Sequence, residues 1–262
     1  MSSIEEEVRF EVRDRVAHIT INRPERRNAL SYPVQDRLVE LFGRCDADPG
    51  VWAVVITGTG DRAFSAGADL KELDEVARRG EQIRVPMTGP TRNFHEALLE
   101  LGKPTIAALN GHALAGGFEL AMAADLRIAA DHIQLGMPEA KRGMGANFAT
   151  VLLPRLVPRA IALELLYTGE PISAQRGLEI GLLNRVVHFD DLEAETEKLV
   201  RSIVANAPLS LRRYKEMATK GWELSVHAAL RLNAGPNPYT SEDREEGVRA
   251  FVEKRAPRWQ GR

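Results

Sequence analysis

The sequence predicts an α/β protein, a core of largely parallel β-sheet followed by a helical, charged C-terminal region. Three observations carry that prediction. Strand-like and helix-like pieces alternate through the first third of the chain. Two apolar runs, "VWAVVITGTG" at 51–60 and "PTIAALNG" at 104–111, are continuous and bounded by glycine. From about Pro208 the composition turns helical and charged, through "LSLRRYKEMATKGWELSVHAALRLNAG" and "SEDREEGVRAFVEKRAPRWQGR". Alternating strands and helices pack as a parallel sheet covered by helices, and unbroken apolar runs belong to strands buried on both faces.

The elements follow in order. "RVAHITIN" (15–22) alternates apolar and polar residues and stops at Arg23-Pro24, a strand running into a turn. "NALSYPVQDRLVELFGRCDADP" has helical spacing through Val34, Leu38, Leu41 and Phe42, with Ser31 as candidate N-cap before Pro33. The strands at 51–60 and 104–111 come next. A Gly-rich turn and a helix starting near Gly116 follow the second of them. "LRIAAD" (126–131) and "IQLGMPE" (133–139) read as two further short strands. Residues 72–95 break the rhythm with "RRGEQIRVPMTGPTR", whose glycines, prolines and charges predict a mobile surface insertion that could serve as a pocket lid. The chain is expected to divide near residue 200 into a core (1–199) and a helical region (200–262), which packs on the core or on another subunit. No fixed-period repeat or low-complexity tract is present.

Composition narrows the function classes. The length of 262 residues suits one large domain or a core with an appendage. A formal net charge of −2 gives no overall bias toward nucleic acid or anionic membrane. A single cysteine, Cys45, allows no intramolecular disulfide and cannot by itself build a thiolate metal site; beside Asp46, it reads as a packing residue. The acidic N-terminus "MSSIEEEVRFEVRD" lacks the apolar core of a secretory signal. No run approaches the roughly 20 apolar residues of a membrane span. The expectation is a cytoplasmic protein.

Two glutamates stand out. Glu119 follows Gly116-Gly117 in "ALAGGFEL", in the first turn of a helix whose leading N–H groups lack intrahelical partners. The dipole there favours its anion, and an ionised carboxylate can act as a base. Glu139 follows Pro138 in "MPEAKRG", in a short apolar run where a carboxylate is hard to place without purpose. Two carboxylates converging from separate segments can move a proton and activate a water. "FSAGADLKEL" (64–73) offers small residues, Ser65, Ala66, Gly67 and Ala68, that let a ligand approach backbone donors suited to an oxyanion. Each feature taken singly has a plain explanation: a favourable first-turn acid, a surface ion pair of Glu139 with Lys141 and Arg142, a tight strand-to-helix turn. The six histidines show no metal-ligand spacing, "FHEALLE" lacks the second histidine of a zinc helix, and there is no P-loop.

Taken together and in this order, six segments resemble the enoyl-CoA hydratase/isomerase (crotonase) family over nearly the whole chain. They are "INRPERRNAL", "FSAGADL", "KPTIAALNGHALAGGFELAMAADLRIAA", "LGMPEAKRG", "LLYTGEPISAQRGLEIGLLNRVV" and "SEDREEGVRAFVEKR". The resemblance implies a crotonase-like spiral of ββα turns and a C-terminal helical region that assembles trimers or dimers of trimers. It implies an acyl-CoA thioester as substrate, with no further cofactor and no metal. The oxyanion hole would be the backbone N–H groups of Ala68 and Gly116. The CoA adenine would lie along Ala66, Ala68, Asp69 and Leu70, and Arg27 would stand near the phosphates. Phe251 and Lys254 would reach CoA, often from a neighbouring subunit. Glu119 would handle the water and Glu139 the α-proton. Having both acids favours an enoyl-CoA hydratase over an isomerase, since family isomerases often keep one. Beyond Glu139 the chain reads "RGMGANFATVLLPRL", with Asn147 and Phe148 where straight-chain hydratases carry proline-glycine-alanine-glycine-glycine-threonine. "PEAKRG" and "EKRAPRWQGR" look closer to the carnitinyl-CoA dehydratase branch, which implies a crotonobetainyl/carnitinyl-CoA type of acyl chain as the alternative to a straight-chain one. Some relatives bind RNA; the acidic balance and the lack of a basic, aromatic-interleaved stripe argue against that role here.

Overall fold

A computed structural model describes residues 3–85, 87–88 and 92–262. Among these, the strands form two sheets. The larger is built from β1 (Val8–Arg13), β2 (Val16–Ile21), β3 (Ala53–Gly58), β5 (Thr105–Leu109), β7 (Leu126–Ala130) and β10 (Arg185–Val187), in that spatial order. The smaller runs β4 (Ala63–Ser65), β6 (His112–Leu114), β8 (Gln134–Gly136), β9 (Ile172–Ser173). All pairings are parallel except β1 with β2 and β8 with β9.

Three consecutive turns share one plan. A long strand enters the large sheet (β3, β5, β7), a short one enters the small sheet (β4, β6, β8), and a helical segment returns. Those segments are the helices Leu70–Arg78 and Gly116–Ala123 and the 3-10 turn Pro138–Arg142. This is the predicted ββα spiral. The sequence shows no period because the turns differ in length: residues 70–100 lie between β4 and β5, whereas β7 follows closely on the helix Gly116–Ala123.

The apolar runs behave as continuous burial requires. On β3, Val54 and Ile56 face the main core while Ala53 and Val55 face the other side; on β5, Ala107 and Leu109 oppose Ile106 and Ala108 in the same way. Val200, on the helix Leu192–Val204, covers the second face. The expected boundary near residue 200 therefore falls inside that helix. The helix Tyr32–Ala47 begins after Ser31 as predicted, but the Ser31 side chain makes no capping bond; the Tyr32 N–H is donated to Glu72 instead (2.8 Å). Cys45 is buried, and burial pushes its thiol up to about 11, which fits a packing role.

Three differences from the sequence expectation have local causes. β1 was not expected, because it is an edge strand with Val8 its only buried residue. β4 and β6 are three-residue strands hidden in Gly-rich turns. The segment 72–95 is not all insertion: Leu70–Arg78 is a helix capped by Asp69, and Phe94–Glu100 begins another, capped by Asn93. Part of the predicted lid, residues 86 and 89–91, lies outside the described residues.

Buried polar groups lock the turns around the small sheet. Asn28, in the left-handed region at φ 54°, donates to the Ala63 carbonyl (2.6 Å) and accepts from the Arg23 N–H (2.9 Å). Asn110 donates to the Gly60 carbonyl (2.7 Å) and accepts from the Gly58 N–H (2.9 Å). Arg127, 6 % exposed, donates to the carbonyls of Ala121 (3.2 Å), Ala124 (2.6 Å) and Leu182 (2.7 Å). It thereby satisfies acceptors at the C-terminal end of the helix Gly116–Ala123. After residue 208 the helices Pro208–Gly221 and Glu242–Glu253 expose Tyr214, Val248, Phe251 and Val252. No helix of the described residues is long and apolar enough to cross a membrane.

Candidate active site

The turn after β4 and the turn after β6 meet backbone to backbone. Gly67, at φ 85°, faces Gly116: a β-carbon there would lie 2.8 Å from the Ala115 side chain and 2.9 Å from the Gly116 nitrogen. Gly117 is tighter, its absent β-carbon falling 2.2 Å from the Ser65 carbonyl oxygen. The small residues of both segments are thus a packing requirement. Their consequence is that two backbone donors come side by side. Gly116 opens its helix, so its N–H has no intrahelical acceptor. Among the described residues the Ala68 N–H has none either. A β-carbon on Gly116 would sit 3.9 Å from the Ala68 nitrogen and 4.0 Å from Glu119 Oε2.

Ala115 aims the pair. It adopts φ 53°, ψ −134°, a region almost reserved for glycine, and its N–H is donated to the Gly136 carbonyl (2.9 Å). Such a conformation costs about 1–3 kcal/mol and persists only where surrounding contacts enforce it. Here it turns the chain from β6 into the helix that Gly116 opens at the cleft.

Glu119 is 6 % exposed. One carboxylate oxygen accepts from the Ala149 N–H (2.9 Å), in the first turn of the helix Asn147–Leu156. Glu119 therefore stands in the first turn of its own helix and at the N-terminal end of another, and both favour its anion. Burial outweighs them: desolvation, with a contribution from nearby Glu139, raises its pKa to about 7 despite the bond from Ala149.

Glu139 is the second residue of the turn Pro138–Arg142 and is 7 % exposed. It is not the surface ion pair its neighbours suggested. Lys141 pairs with Glu170 (2.5 Å), and no bridge joins Glu139 to Arg142 among the described residues. Its Oε2 is buried without a hydrogen-bond partner, and burial raises its pKa above the usual carboxylate range.

One cleft of about 1050 Å³ is lined by Glu119, Glu139, Ala68, Gly116 and the turn residues Ala66, Asp69, Leu70 and Arg27. Asp69 is largely committed to the fold: its carboxylate caps Lys71 and Glu72 and pairs with Arg23 (3.0 Å). Arg27 is exposed, and its carbonyl accepts from the Ala66 N–H (3.0 Å), tying its turn to the cleft wall. Phe251 and Lys254 are not brought to the cleft within one chain; Phe251 is 85 % exposed on the helix Glu242–Glu253, and Lys254 follows it in the left-handed region. No group of three His, Cys, Asp or Glu side chains among the described residues could hold a metal ion.

Sequence reasoning passed over His95, which also lines the cleft. Its Nε2 lies 3.1 Å from the Gly116 carbonyl and 3.7 Å from Glu119 Oε2, and its ring stacks on Phe148 with centroids 5.1 Å apart. A carbonyl only accepts, so Nε2 carries the proton. Burial lowers the pKa to about 4, so the ring is neutral at ordinary pH. A lone histidine in a helical segment gives no sequence signal for this. The chemistry assembled is a pair of backbone donors for developing negative charge and two buried carboxyl groups, inside one cleft.

The family model described as enoyl-CoA hydratase/isomerase matches residues 11–262. The short-chain-enoyl-CoA hydratase of Clostridium acetobutylicum is 36% identical over 250 residues, 94% of each chain. The carnitinyl-CoA dehydratase of Proteus mirabilis is 38% identical over 257 residues, covering 95% of this chain and 97% of that one. The crystal structure of enoyl-CoA hydratase from Mycobacterium tuberculosis H37Rv superposes with a TM-score of 0.86 at 38% identity, over 98% of this chain and all of the other.

Proposed function

The chain belongs to the enoyl-CoA hydratase/isomerase family, and within it we propose a 2-enoyl-CoA hydratase, which adds water reversibly across the α,β-double bond to give a 3-hydroxyacyl-CoA. The observation that carries this reading is the pair of buried carboxyl groups, Glu119 and Glu139, facing one cleft beside two backbone N–H donors. The thioester oxygen lies between the N–H groups of Ala68 and Gly116. They stabilise the enolate as charge moves onto that oxygen, each such donor being worth about 2.7–4 kcal/mol in barrier. Glu119, ionised, takes a proton from the water that attacks the β-carbon. Glu139, protonated, gives its proton to the α-carbon. In dehydration the two exchange roles.

Arg27 stands by the CoA phosphates and the backbone from Ala66 to Leu70 by the adenine. Phe251 and Lys254 act across a subunit boundary in a trimer or a dimer of trimers. Exposed apolar side chains on the C-terminal helices, Val248, Phe251 and Val252 among them, support that assembly. The substrate brings its own CoA, so no separate cofactor enters, and the expected location is the cytoplasm.

The test is hydration of crotonyl-CoA, followed by loss of the conjugated-thioester absorbance. Glu119→Gln and Glu139→Gln should each lose most of the rate while still binding CoA thioester. Near-wild-type turnover by either variant would remove that residue from the mechanism. Offering a 3-enoyl-CoA beside the 2-enoyl-CoA separates hydration from isomerisation by its products.

A further inference from the structure

Resting on the hydratase reading above, we propose that Arg142 recognises a carboxylate on the acyl chain. The preferred substrate is then a short 2-enoyl-CoA carrying a second, free carboxylate, in place of an uncharged or a trimethylammonium-bearing one.

The geometry of one turn carries the argument. Glu139 and Arg142 both belong to the 3-10 turn Pro138–Arg142. At three residues per turn, side chains at i and i+3 eclipse. Arg142 therefore projects over the same face as Glu139, and both line the cleft. The guanidinium is not consumed by the protein. Among the described residues it forms no ion pair, and its only hydrogen bond is a long one from Nη1 to the Pro138 carbonyl of its own turn (3.4 Å). Lys141, next to it in sequence, is bound to Glu170 (2.5 Å), and Arg84 is bound to Asp36 (2.7 Å).

Room for the carboxylate lies alongside. A second cavity of about 370 Å³ shares Leu114, Pro138 and Arg142 with the main cleft. Arg142 thus borders both volumes, one turn beyond Glu139. Of the two cations on this turn, Arg142 is the one that lines the main cleft, so it is the positive charge an acyl chain meets there. A planar guanidinium pairs a carboxylate through two parallel N–H donors, with more energy than a neutral contact. It offers a quaternary ammonium no acceptor and opposes its charge.

Binding and turnover together test it. The full-length protein is titrated calorimetrically with butyryl-CoA, glutaryl-CoA and 4-trimethylammoniobutyryl-CoA, and hydration of crotonyl-CoA is followed alongside. The wild type should bind glutaryl-CoA at least about tenfold more tightly than butyryl-CoA, with the trimethylammonium thioester weakest. Arg142→Gln should bring the glutaryl-to-butyryl ratio close to one, and Arg142→Glu should reverse the order. Equal binding of all three by the wild type overturns the proposal. So does a preference that survives in Arg142→Gln, or an equal loss for all three thioesters, which would make Arg142 a contact to CoA itself. The underlying reading fails separately: the charge preference without hydration of any enoyl thioester sinks the hydratase, and hydration without the preference sinks this inference alone.

Discussion

Gly116 and Gly117 are adjacent, yet adding one methyl should have opposite consequences at the two positions. At Gly117 the new carbon would fall 2.2 Å from the Ser65 carbonyl oxygen and 2.7 Å from the Ser65 carbonyl carbon. Both are backbone atoms that cannot swing aside, so the helix must retreat from β4 by about 1 Å, an overpacking that costs about 1–3 kcal/mol or more. At Gly116 the nearest atom is Gly67 Cα at 3.7 Å, an ordinary contact. Alanine there gains up to about 1 kcal/mol of helix propensity. The methyl would, however, stand 3.9 Å from the Ala68 nitrogen and 4.0 Å from Glu119 Oε2, in the space an oxygen must enter to meet both donors. Losing one such donor slows catalysis by about 10²–10³-fold. Gly116→Ala should therefore melt at or above the wild-type temperature and hydrate crotonyl-CoA at least about a hundredfold more slowly. Gly117→Ala should melt several degrees lower, by about 2–4 °C for each kcal/mol lost. Thermal unfolding by circular dichroism and the absorbance assay read the two effects separately. An active Gly116→Ala variant would refute the placement of the oxyanion hole; a Gly117→Ala variant as stable as the wild type would refute the packing argument.

Glu119 also links activity to pH. Its folded pKa, about 7 against an ordinary 4.5, is raised, so the stability tied to it is complete below 4.5 and falls as pH rises through 7. The loss amounts to about 3 kcal/mol, and Glu119→Gln should be the more stable protein at pH 8 by up to that amount in urea melts. A base must be ionised, so kcat/KM for hydration should climb through an acidic limb near pH 7. His95→Phe keeps the stack on Phe148 and deletes the bond to the Gly116 carbonyl. A buried bond of that kind is worth about 1–3 kcal/mol, so if it holds the Gly116 turn in place kcat should fall while KM stays near its wild-type value; a change confined to KM would show that it does not. Arg127→Lys keeps the charge but cannot serve the Ala121, Ala124 and Leu182 carbonyls at once. Unfolding should become easier by about 3 kcal/mol; an unchanged denaturant midpoint would show that those acceptors find other donors.

The strands β3 and β5 were legible in the sequence because both their faces are buried, which leaves unbroken apolar runs, and β2 was legible by its alternation. The family was legible because six segments stand in register, although each alone has an ordinary explanation. Glu119, Glu139 and the small residues around Ala68 and Gly116 could be singled out for the same reason. The edge strand β1 and the short β4 and β6 could not, since an edge buries little and three residues carry no period. Tertiary structure alone decided that Gly67 and Gly117 lack side chains because two backbones touch there. It decided that Glu139 is buried and unpaired, although Lys141 and Arg142 are its neighbours in sequence. It also brought His95 to the Gly116 carbonyl. Residue order specifies which groups are available, but desolvation and the direction of a hydrogen bond depend on what packs against them from distant parts of the chain. A titration near pH 7 at Glu119 comes from that packing.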